Sequence, residues 1–94
     1  MIVKWLRTAL HNLDEEISYI SREDEELAFK IYQHILERVN SLQNTPNIGR
    51  PGRVFGTREL VLDHYPYIIP YRVSRESIEI LRVFHTSRKQ PKMW

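Results

Sequence analysis

The chain has 94 residues, no cysteine and a net charge of +2, with 41% apolar and 28% charged residues. That length supports one domain, residues 1–94, around a single modest core, and without cysteine there is neither a disulfide framework nor thiolate chemistry. No apolar run reaches the roughly 20 residues of a membrane span, and Met1-Ile-Val-Lys-Trp-Leu-Arg7 does not lead into the long apolar stretch of a signal peptide. The expectation is a soluble cytoplasmic protein with no membrane partner.

Charge is divided unevenly. Residues 1–49 hold five Lys/Arg against eight Asp/Glu, a net of −3, and residues 50–94 hold nine against four, a net of +5. An acidic helical layer joined to a basic sheet fits this split, with the basic side turned to nucleic acid or another anionic surface.

Ile2-Val-Lys-Trp5 is short, apolar and partly β-branched, and predicts a first strand. Leu6, Ala9, Leu10, Leu13, Ile17 and Ile20 then recur every three or four residues, one face of a helix. Ser21-Arg-Glu-Asp24 has the form of a capping box, which would close this helix and open the next. Leu27, Ala28, Ile31, Ile35, Leu36, Val39 and Leu42 continue the helical spacing to about Gln43. Glu23 to Glu26 lie in its first turn, where carboxylates favour the positive end of the helix dipole. The pair predicts a helical hairpin with a very short turn.

Two prolines and two glycines in Asn44-Thr-Pro-Asn-Ile-Gly-Arg-Pro-Gly52 end the second helix and predict a loop. Strands are expected at about 57–63, 67–73 and 78–84, with Ser74-Arg-Glu-Ser77 as a hairpin turn. Pro70 falls inside the most apolar strand and cannot donate a ladder hydrogen bond, so it either faces away from a partner strand or sits opposite a bulge. The order is β-α-α-β-β-β. It is an α+β fold with the helical hairpin on one face of a mostly antiparallel sheet and the other face left for work.

Each of the last three strands carries an arginine, Arg58, Arg72 and Arg82. The final strand ends on His85, and a basic tail with Arg88, Lys89 and Trp94 follows. His85 is the best acid/base candidate, because imidazole titrates near neutral pH. Strict alternation would place Glu79, Leu81, Val83 and His85 on one face, and Ile78, Ile80, Arg82 and Phe84 on the other. The other histidines, His11, His34 and His64, have no metal-site spacing and are expected at the surface. No metal or cofactor is expected. The arginines are either a binding surface or braces of the sheet through Glu59 and Glu79.

Gly56-Thr-Arg-Glu-Leu-Val61, Pro66-Tyr-Ile-Ile-Pro-Tyr-Arg-Val73 and Ile78-Glu-Ile-Leu-Arg-Val-Phe-His85, in this order after a strand, two helices and a Gly-Arg-Pro-Gly loop, resemble the RelE/ParE superfamily of bacterial type II toxins. The resemblance covers nearly the whole chain. It implies a growth-arresting protein neutralised by a cognate antitoxin, and it leaves two targets.

ParE-like members inhibit DNA gyrase without being nucleases. On that reading Arg58, Arg82, His85, Arg88, Lys89 and Trp94 would contact the target. RelE-like members enter the 70S ribosome and cut mRNA, which would assign catalysis to Arg53, Arg58, Arg72, Arg82 and His85, binding and neutralising charge around the 2′-hydroxyl attack. The departures favour the ParE-like branch. Ile68, not arginine, follows Tyr67, the tail has no tyrosine to act as base, and the lysine pair of RelE-like chains is replaced by Arg50 and Arg53, which are poor proton acceptors. A third reading is a degenerate toxin kept only as a partner of its antitoxin. The apolar stripe of the first helix, with Tyr19 and Tyr32 nearby, would suit antitoxin docking.

Overall fold

A computed structural model describes residues 1–87 and 94. The elements are β1 (Ile2–Trp5), α1 (Arg7–Ser21), α2 (Glu25–Ser41), β2 (Arg50–Pro51), β3 (Arg58–Val61), β4 (Tyr67–Val73), β5 (Ser77–Ile80) and β6 (Phe84–His85). The sheet runs β1-β5-β4-β3-β2, with β6 also paired to β4. Only the β1–β5 pairing is parallel; the others described are antiparallel. The α+β architecture with a helical hairpin on a mostly antiparallel sheet therefore holds.

The helical pair forms where the apolar spacing places it, but its junction differs in detail. Asp24, not Ser21, caps α2: its carboxylate accepts from the Leu27 amide at 2.9 Å. Ser21 instead turns back, its hydroxyl donating to the Ser18 carbonyl. A carboxylate at the cap satisfies an orphan amide and also meets the positive helix end, so Asp24 wins over an upstream hydroxyl.

Ala9 and Leu13 of α1 and Ile31, Ile35 and Val39 of α2 pack onto Leu60, Leu62, Tyr67, Ile69, Tyr71, Ile78, Ile80 and Val83 of the sheet. Leu10, on the same stripe as Leu13, stays half exposed. The apolar stripe is wider than the contact.

Two expected features resolve differently. Arg50 and Pro51, expected in a loop, pair with Glu59 and Arg58 as a two-residue edge strand. The expected last strand is interrupted: Tyr71 faces Ile80, yet Ile68 faces Phe84, so three steps along β4 oppose four on the other side. One extra residue is bulged out in 81–83. The Leu81 amide donates to the Pro70 carbonyl at 2.9 Å. In an extended strand the N and O of one residue point to the same side, so the missing donor of Pro70 faces this bulge. The bulge thus accommodates the proline.

It also overturns strict alternation beyond Ile80. Val83 joins Ile78 and Ile80 in the core, and His85 lies opposite core residue Tyr67. Leu81 instead lines a cleft with Arg72 and Trp94 on the side away from the helices. That second face is not left bare as expected. Tyr67 to Tyr71 are all buried, including Ile68 and Pro70, whose side chains alternate away from the helices.

Candidate functional site

Across the sheet from the core, Leu6 and Thr8 at the start of α1 join Val54, Thr57, Arg72, Leu81 and Trp94 around a cleft of about 250 Å³. Trp94 covers part of the sheet here, its ring edge-on to Phe84 at 5.8 Å between centroids, and its carbonyl accepts from Arg82 Nε at 3.3 Å. Trp94 thus tucks against the sheet. Its indole nitrogen is buried without a partner among the described residues.

The arginines are engaged in bracing. Arg72 grips Glu79 across the β4–β5 ladder, with Nε and Nη2 at 2.9 and 2.8 Å from one carboxylate oxygen. Arg50 holds the buried Glu59 in the same way, both contacts at 2.9 Å. The second Glu59 oxygen accepts the Arg53 amide at 3.1 Å, so a single carboxylate organises the 50–53 segment. Arg58 donates to the Asn47 and Gly49 carbonyls at 3.1 and 2.8 Å and ties the 44–49 loop to β3. Arg82 is half-buried and reaches Trp94.

Tyr71 completes this bracing from below. Its hydroxyl donates to the Pro46 carbonyl at 2.7 Å and accepts from the Gly49 amide at 2.9 Å. A Cβ on Gly49 would stand 2.6 Å from that oxygen, so the approach requires glycine. Burial pushes the Tyr71 hydroxyl above the ordinary tyrosine range, against the opposing pull of the Gly49 hydrogen bond and the Arg58 charge.

His85 stands elsewhere. It pairs with Tyr67, ring edge to ring at 5.2 Å, on the helix side of the sheet. Its Nδ1 accepts from the Ser87 amide at 3.2 Å and contacts the Ser87 hydroxyl at 2.7 Å. The Tyr67 hydroxyl donates to buried Glu16 at 3.1 Å, and Glu16, Tyr19, Ile20, Tyr67, His85 and Ser87 line a second cleft of about 260 Å³.

Of the expected site residues, Arg72, Arg82 and Trp94 come together, and Arg58 braces the adjoining loop. Arg53 lies exposed on the turn after β2, and His85 is on the opposite face. Arg88 and Lys89 lie outside the described residues. Among the described residues no group of three metal-ligating side chains occurs. His34 is half-buried rather than superficial, stacked edge-on to Tyr65 and near His64. Glu16 was not expected at a site, and Arg50 and Tyr67 were named only where the chain departs from the RelE-like pattern. A carboxylate on the buried side of an amphipathic helix was the available signal for Glu16.

Known proteins give this geometry a family. Residues 3–90 match the family model described as the ParE toxin of the type II toxin-antitoxin system parDE. A Sinorhizobium fredii protein named "Putative toxin Y4kP" is 44% identical over 91 residues, which are 97% of this chain and 94% of that protein. A solved chain from the "Chromosomal ParDE TA system from P. aeruginosa" superposes with a TM-score of 0.82 at 36% identity, covering 90% of this chain and 95% of that one. The match runs through both helices, the braced loop and the bulged last strands, and the chain belongs to the ParE toxin family of type II toxin-antitoxin systems, whose toxins are paired with a cognate antitoxin.

Proposed function

We propose that this protein, acting as one domain in the bacterial cytoplasm, arrests growth by binding and inhibiting DNA gyrase, with no bond-making step of its own. The observation that supports this reading is the separation of Arg72 and Arg82 from His85. Cutting RNA needs a proton acceptor and cations around the same phosphate. Here His85 faces the helices beside Tyr67, and Arg72 and Arg82 lie on the other side, committed to Glu79 and Trp94. Arginines spent on bracing suit a shaped binding surface.

The antitoxin's place in this reading is the helical hairpin. Leu10, Leu13, Asp14, Ile17 and Tyr32 line a shallow groove between α1 and α2, and Tyr19 and Phe29 on the same two helices are largely exposed. An apolar segment laid there would cover what the core leaves open.

The second reading is ribosome-dependent mRNA cleavage, for which Glu16, Tyr67 and His85 share a cleft as acid/base groups, although no arginine or lysine is among its described lining residues. Pulse-labelling after induction without antitoxin separates the two. Gyrase inhibition predicts early loss of thymidine incorporation with leucine incorporation continuing. Immediate loss of leucine incorporation would replace the gyrase reading with the ribosomal one.

A further inference from the structure

The loop between β2 and β3 holds one aromatic side chain out in water. The Gly52 amide donates to the Thr57 carbonyl at 2.8 Å, and the Thr57 amide and hydroxyl both donate to the Val54 carbonyl, at 3.1 and 2.6 Å. Gly56 takes φ of 84°, a left-handed conformation that glycine adopts without strain. Val54 turns inward to line the Trp94 cleft, and Phe55 beside it is fully exposed. The loop base is anchored again by the Arg53 amide on Glu59. Phe55 is therefore presented by a hydrogen-bonded loop.

Within the fold this ring has no packing role. Its stretch of chain is cationic: Arg50, Arg53 and Arg58 lie within five residues of it, and Glu59, the one carboxylate in 50–62, is buried against Arg50. The loop also leaves from the edge of the sheet, where β2 is two residues long and contains Pro51. A short, proline-bearing edge resists addition of a partner strand, so contact there is made by side chains.

We infer that Phe55 anchors the protein on its growth-arrest target by filling a protein pocket that is apolar within and carboxylate-lined at its mouth. This rests on the gyrase reading. Aromatic and arginine side chains dominate binding hot spots, and a loop already held in place loses little freedom on docking. A DNA duplex would have to unstack a base step to admit the ring, a cost a preformed protein pocket does not impose.

The test uses purified wild type, Phe55→Ala and Phe55→Trp, titrated against purified bacterial gyrase and, separately, against a short DNA duplex. Phe55→Ala is expected to weaken gyrase binding about 10- to 100-fold with an unchanged melting temperature, because the ring packs against nothing. Phe55→Trp should restore most of the affinity. If Phe55→Ala binds gyrase like wild type, the anchor is wrong and the gyrase reading survives. If wild type itself fails to bind gyrase, both fall together. Binding of the duplex alone that depends on Phe55 would overturn the protein pocket in favour of a nucleic-acid contact.

Discussion

Tyr71 makes two hydrogen bonds with one oxygen, and both hold a loop that has no regular structure of its own. Removing that hydroxyl leaves the Gly49 amide without its buried partner, so Tyr71→Phe should cost about 1–3 kcal/mol in urea unfolding. The same residue gives stability a sign in alkali. Burial raises the Tyr71 pKa above its ordinary value of 10.0, so the folded state keeps a proton that the unfolded chain releases. Its contribution is complete below that value and is lost as pH rises beyond it. Tyr71→Phe should therefore lose less stability than wild type between pH 9 and pH 11, measured by the same unfolding experiment. Equal losses would show that Tyr71 does not control the alkaline limb.

Each helix shows how far local chemistry reaches. Asp24 caps α2 through the Leu27 amide, and Glu25 and Glu26 follow in the first turn. Asp24→Ala should cost about 1 kcal/mol, whereas Ser21→Ala should cost little, because the Ser21 hydroxyl serves only the end of α1. Melting temperatures of the two variants check the order. On α1, Leu10 is half exposed beside buried Leu13. Leu10→Asp should leave the melting temperature nearly unchanged and weaken antitoxin binding by about tenfold or more, as loss of a groove anchor does. Unaltered antitoxin affinity would move the docking surface off the helical hairpin.

Across the whole molecule, the sheet separates the charged machinery into two sides. Glu16, Tyr67 and His85 meet under the helices, and Arg72, Arg82 and Trp94 meet on the other side. If gyrase is the target and is met on the side of the sheet away from His85, His85→Ala should arrest growth as wild type does when expressed without antitoxin. Loss of arrest with an intact fold by circular dichroism would favour mRNA cleavage instead. The bulge at 81–83 underlies this division, since it puts His85 on the core side with Val83 while Leu81 faces the Trp94 cleft.

Local pattern carried much of the architecture. β1, the two helices and β4 follow from apolar spacing, because burial imposes a period of 3.6 on helices and 2 on strands. The serine hairpin at 74–77 and the Arg72–Glu79 brace were also legible, being complementary chemistry on adjacent strands, whereas Glu59 is held by Arg50, which was expected in a loop. Pro70 marked an irregularity without locating it. Resolving it took the pairing of β4 with both β5 and β6, since a bulge is a mismatch between two strands and neither strand states it alone. The same holds for His85, whose side of the sheet depends on that one extra residue. Phe55 illustrates the other limit: its place between two glycines marks a turn, but its complete exposure depends on Val54, Thr57 and Glu59 holding the loop around it. Periodicity is written along the chain, whereas register and exposure belong to segments brought together from far apart.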